Sequence, residues 1–152
     1  MEGWVVESDA EIAGIVRAVR TVAVIGMKDE RDPEAAAYRI PKALQERGIR
    51  VIPVNPKLRT SLGERAYGRI GEVSEPFDVA DVFRRSEAVG EVADAILALP
   101  PDRRPRVVWL QSGIRNDEAA GRLADAGMLV VQDRCLMVET ARFRGPAGAG
   151  NA

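Results

Sequence analysis

The 152-residue chain contains no histidine and a single cysteine, Cys135. Without histidine it lacks the commonest general base, the usual zinc ligand and any route through a phosphohistidine. One cysteine excludes an internal disulfide and suits a reducing compartment, so a cytoplasmic setting is expected. Long hydrophobic runs are missing too. A stretch such as Val107–Leu110 is far too short to span a bilayer, and MEGWVVESDAE lacks the basic start and apolar core of a signal peptide. Neither sign of charge dominates: 22 Lys+Arg against 23 Asp+Glu leave a net charge of −1. Nucleic acid and membrane surfaces are therefore not expected partners.

A further absence is local. TVAVIG at 21–26 reads as a buried strand ending in glycine, the ordinary approach to a nucleotide phosphate. The G-x-G-x-x-G of a dinucleotide site does not follow it; Gly26 stands alone before Met27, Lys28 and a charged loop. Such a glycine can turn the backbone sharply and present N–H groups to a phosphate, or simply make a tight turn.

What is present is a recurring pattern. Ser8 and Glu11 form a capping box that opens a helix with Ile12, Ile15, Val16 and Val19 on one face. Apolar runs then follow at 21–26, 50–55, 77–83, 106–111 and 128–132, with helical material between them. One helix runs from Ala37 to Arg47 and ends at Gly48, with Pro41 in its first turn or kinking it. Ser86 and Asn116 are expected to cap two more helices, the second stopping at Gly127. The connection from Pro56 to Pro76 reads as loop with one helical turn. Near-continuous apolar strands alternating with amphipathic helices predict an α/β fold: a Rossmann-like, doubly wound, mainly parallel five-stranded sheet with helices on both faces. The strand order expected is 3-2-1-4-5, with a ligand at the switch point between the first and fourth strands. One domain over 1–144 and a disordered Gly/Ala-rich tail over 145–152 complete the expectation.

Ligands of such sheets sit beyond the carboxyl ends of the strands. After the second strand an NAD site places an acid for the ribose hydroxyls, but here the chain reads Val54-Asn55-Pro56-Lys57. A cation there favours a phosphorylated ribose, as in NADP or the 3′-phospho-ADP half of coenzyme A; Asn-Pro is also an ordinary turn. Arg84 and Arg85 follow the third strand, where at least one is expected to pair with an acidic neighbour such as Glu87 or Asp81. Gln111-Ser112-Gly113 after the fourth strand offers an amide, a hydroxyl and a permissive turn. Trp109 is expected in the core, and Cys135 as an inert packing thiol. No nucleophile–base pair and no metal-ligand cluster stands out.

Taken together, TVAVIGMKDERDPEAAAYRI, VIPVNPK, VADVFRR, VVWLQSGIRNDEAA and VVQDRCLMVE resemble the small stand-alone CoA-binding proteins, the YccU-like family, over residues 10 to 143. The resemblance extends more distantly to the CoA-binding domain of the succinyl-CoA synthetase alpha subunit. It implies coenzyme A held across the strand ends. By position, Gly26, Met27 and Lys28 match the loop that receives the phosphates. Asn55, Pro56 and Lys57 match the segment near adenine and the 3′-phosphate. Val82, Phe83 and Arg84 match the nucleotide pocket wall, and Leu110, Gln111 and Ser112 the pantetheine side. Asp133, Arg134 and Cys135 match a final motif without an assigned role.

The family's ligase chemistry does not carry over, because it needs a phosphohistidine in a further domain. The expectation is thus a non-catalytic carrier, sensor or accessory module that binds CoA or acyl-CoA. Two alternatives stay open: an NADP-binding Rossmann protein or oxidoreductase, and an interaction module with a vestigial cleft. In the latter SGIRNDEAA would meet a partner enzyme subunit or a second copy.

Overall fold

The structure, a computed structural model, describes residues 3–145. The expected tail from 146 onward lies outside them. In chain order the elements are β1 (Val5–Val6), α1 (Asp9–Ala18), β2 (Thr21–Ile25), α2 (Ala36–Glu46), β3 (Arg50–Val54), β4 (Thr60–Ser61) and β5 (Glu64–Arg65), followed by β6 (Val79–Val82), α3 (Val89–Leu97), β7 (Val107–Leu110), α4 (Asp117–Asp125), β8 (Leu129–Val131) and α5 (Leu136–Arg144).

The main sheet is wholly parallel and has six strands, not five, in the order β1-β8-β7-β6-β2-β3. The extra strand is β1, whose two residues pair with Val130 and Val131 of β8 at the edge. The five anticipated strands also differ in order, running 2-1-3-4-5 rather than 3-2-1-4-5. Pro53 supplies the physical reason. It lies within β3, cannot donate to a ladder, and so confines β3 to the edge of the sheet. The next sheet strand, β6, must pair on the far side of β2, and the switch point falls between β2 and β6.

Alternation along the strands feeds two cores. Val22 and Val24 of β2 with Val107 and Trp109 of β7 face the helices α1, α2 and α5. Ala23, Ile25, Val108 and Leu110 face α3 and α4. Trp109 is fully buried, and its indole N–H donates to the Arg134 carbonyl at 2.7 Å. Cys135 is partly buried beside the first of these cores.

Side-chain caps mark the starts of α1 and α4. Ser8 Oγ accepts the Glu11 N–H at 3.2 Å, and Asn116 Oδ1 accepts the Ala119 N–H at 3.0 Å. Ser86 behaves differently from the expected cap. Its hydroxyl accepts the Arg115 N–H at 3.0 Å and its carbonyl the Asn116 side-chain amide at 3.1 Å, tying the start of α3 to that of α4. Pro41 sits well inside α2 rather than in its first turn. The long connection from β3 to β6 carries an unanticipated antiparallel hairpin, β4–β5, turning through Leu62 and Gly63 at φ 53 and 75. A single helical turn at Ile70–Glu72 follows.

Candidate functional site

A cleft of about 610 Å³ opens at the switch point, beyond the carboxyl ends of β2, β3 and β6. Its floor is apolar, built from Ile25, Val54, Ile70, Phe83, Val92 and Ala95. Its rim is cationic: Lys28 follows β2, Lys57 follows β3, Arg84 follows β6, and Arg69 comes from the connection behind the hairpin. Arg84 approaches Glu91 of α3 at 3.9 Å, an acidic neighbour other than Glu87 and Asp81. Among the described residues, Lys28, Lys57 and Arg69 form no ion pair.

Gly26 earns its place through packing. Its φ is 84°, and a Cβ there would lie 2.4 Å from the Phe83 carbonyl oxygen. Only glycine lets the end of β2 approach the end of β6 so closely. Two of the loop's N–H groups are, however, already engaged. Gly26 donates to the Val54 carbonyl at 2.9 Å and Lys28 to the Ala37 carbonyl at 3.1 Å. Further bonds hold this loop: Asn55 Nδ2 donates to the Met27 carbonyl at 2.8 Å, and the Ser61 hydroxyl donates to the Lys28 carbonyl at 2.8 Å. The Lys57 N–H in turn donates to Asn55 Oδ1 at 2.9 Å. The result is a tethered loop whose cation, rather than its Gly26 and Lys28 amides, faces an incoming anion.

A sequence model of the family described as CoA binding domain matches residues 20–141. The chain belongs to that family. The Bacillus subtilis protein YneT is 36% identical over 131 residues, which is 86% of this chain and 93% of YneT. Among solved structures, cell-free ID.343 from Thermus thermophilus is 38% identical with a TM-score of 0.81, over 90% of this chain and 99% of that one. The dinucleotide-forming acetyl-coenzyme A synthetase 1 of Ca. Korarchaeum cryptofilum, solved with phosphate and ADP, is 22% identical with a TM-score of 0.64. That likeness is one of fold, over 78% of this chain and 27% of the synthetase.

Within this CoA-binding domain the anticipated residues separate into two groups. Gly26, Lys28, Asn55, Pro56, Lys57, Phe83 and Arg84 line one cleft. Met27, Val82 and Leu110 are wholly buried in the cores. Ser112 is exposed and does not line the cleft. Gln111 is buried and works beneath the sheet's end, where Nε2 donates to Asp81 Oδ1 at 2.6 Å and Oε1 accepts the Leu136 N–H at 3.4 Å. Burial pushes the Asp81 carboxyl up to about 7, against a smaller opposing effect of the Gln111 bond, and Asp81 Oδ2 has no hydrogen-bond partner. Asp133, at φ 55, accepts the Gly113 N–H at 2.6 Å, and Arg134 pairs with Asp9 and Glu139, so two residues of the last motif clamp loops and helices together.

The cleft is also lined by residues that the strand-end pattern does not single out: Gly68, Arg69 and Ile70, Glu91, Val92 and Ala95 of α3, and the strand residues Ile25 and Val54. The first three lie in the β3–β6 connection, where a Gly-Arg-apolar triplet was the available signal. Among the described residues no helix is long and apolar enough to cross a membrane.

Proposed function

We propose that this protein binds coenzyme A or an acyl-CoA in the cleft at the carboxyl ends of β2, β3 and β6. In this reading it is a carrier, sensor or accessory module without chemistry of its own, working in the reducing cytoplasm that a lone cysteine suits. The observation that carries it is the pairing of an apolar floor with Lys28, Lys57 and Arg69, cations that have no acidic partner among the described residues. Uncompensated charge around a concave apolar surface suits a planar base with several phosphates. Membership of the CoA-binding family supports the choice of nucleotide. Because the Gly26 and Lys28 amides are engaged within the protein, side-chain cations would supply the phosphate contacts.

Lys57 in place of the usual ribose-binding acid also favours a second reading, NADP, whose 2′-phosphate asks for the same cation. Mass spectrometry of small molecules released from the natively purified protein separates the two. CoA or an acyl-CoA is the expected species. NADP would replace it under the second reading, and no nucleotide, together with no heat on titrating millimolar CoA or NADP, would overturn both.

A further inference from the structure

The β3–β6 connection brings two of the cleft's cations to one rim. Val54 and Tyr67 form a parallel bridge, in which the Tyr67 N–H donates to the Pro53 carbonyl and the Asn55 N–H to the Tyr67 carbonyl, both at 2.9 Å. One step further along, the position a Cβ would take on Gly68 lies 4.0 Å from Pro56 Cα. Lys57 and Arg69 are the next residues on these two side-by-side segments, and both line the cleft. Each is anchored by its backbone. The Lys57 N–H is held by Asn55 Oδ1 at 2.9 Å, and Glu72 Oε1 accepts the N–H groups of Gly68 and Arg69 at 3.1 and 3.2 Å. The opposite wall is close to neutral, since Arg84 has Glu91 beside it at 3.9 Å.

Charge in the cleft is therefore uneven: Lys57 and Arg69, neither in an ion pair among the described residues, lie on neighbouring segments, whereas Lys28 comes singly from the loop after β2. A phosphodiester or a bare ribose needs no such pair. A monoester phosphate is close to doubly charged at neutral pH and has three acceptor oxygens for a guanidinium and an ammonium to share. We propose that Arg69, together with Lys57, clamps a monoester phosphate carried on the ribose of the bound nucleotide, and that Arg69 makes the cleft select the phosphorylated ribose. This rests on the nucleotide reading above. The chemistry is shared by the 3′-phosphate of CoA and the 2′-phosphate of NADP; the CoA form is the one expected.

The test is calorimetric titration of the full chain and its Arg69→Ala and Arg69→Lys variants with four ligands: CoA, dephospho-CoA, NADP and NAD. Arg69 is exposed, so its replacement should leave the fold intact, which circular dichroism checks. The native chain should prefer CoA to dephospho-CoA by roughly ten- to hundredfold, the range for a charged hydrogen-bonded contact. Arg69→Ala should remove most of that preference by weakening CoA alone, and Arg69→Lys should restore part of it. Equal losses for CoA and dephospho-CoA, or no loss for either, would overturn the clamp and leave CoA binding standing. Loss of a preference for NADP over NAD, in a protein that ignores CoA, would support the clamp and overturn the CoA reading. Failure of the native chain to bind any of the four would overturn both.

Discussion

The Lys28 N–H donates to the carbonyl of Ala37 at 3.1 Å, and that carbonyl is available because residue 41 is a proline. In an uninterrupted helix the N–H four residues on would claim Ala37, but Pro41 has none. A helix defect on α2 thus becomes the anchor for the loop that presents Lys28 to the cleft. The proline neither starts α2 nor stands apart from the site; it connects the two.

Replacing Pro41 with alanine supplies the competing N–H. Lys28 should then lose its acceptor, and hydrogen exchange at its amide should accelerate roughly fivefold or more, the worth of about one net hydrogen bond. Global stability should not fall, since the better helix propensity outweighs a freer unfolded chain and the lost Lys28 bond. Unchanged protection at Lys28 would show that the anchor is idle.

Gly26→Ala tests the close approach of β2 to β6. The new Cβ would meet the Phe83 carbonyl at 2.4 Å, on a backbone with φ of 84°. Strain and overpacking together should cost at least about 2 kcal/mol, read as a lower urea midpoint at constant m.

Much of this architecture was legible in the residues. Apolar runs located five strands because strands buried on both faces must be apolar throughout, and the Ser8 and Asn116 caps marked two helix starts. Val5–Val6 escaped because two residues carry no period. The strand order does not follow from the apolar runs, which carry no pairing information; Pro53 is the residue that marks β3 as an edge. In the site, the residues adjoining β2, β3 and β6 were legible from their place directly after apolar runs, whereas the expected switch point at the fourth strand drew in Leu110, Gln111 and Ser112, which do not line the cleft. Arg69 was not, because a bridge between distant segments, Val54 and Tyr67, brings it there. Likewise, Gly26 could not reveal by itself that its N–H was already taken by Val54.

Asp81 predicts how stability depends on pH. Burial raises its carboxyl to about 7 from an ordinary value of 3.8, so the folded chain keeps a proton that the unfolded chain releases. Its contribution is therefore full below the unfolded value and is lost as pH rises toward 7, by about 1.4 kcal/mol per pH unit within that window. Asp81→Asn keeps a carbonyl for Gln111 Nε2 and removes the titration. The drop in urea stability between pH 5 and pH 8 should shrink markedly in this variant; an equal drop in both proteins would show that other groups carry it.

Lys28 and Arg84 follow β2 and β6 rather than the two segments that carry Lys57 and Arg69, and their loss should not discriminate between ligands. Lys28→Ala should weaken CoA and dephospho-CoA alike, by roughly tenfold or more for one charged contact. Affinity for both ligands should fall as salt is raised from 50 to 500 mM, because the contacts are exposed side-chain charges. Salt-independent binding would point to a buried amide cradle instead.

The central claim is that CoA occupies the cleft at the β2–β6 switch point. Backbone amide chemical-shift mapping during a CoA titration tests it most directly. The account predicts saturable shifts clustered at Gly26–Lys28, Asn55, Lys57, Gly68–Ile70 and Phe83–Arg84, with Glu7, Arg115 and Asp133 at the far end of the sheet unmoved. No shifts at millimolar CoA, or shifts confined to that far end, would contradict it.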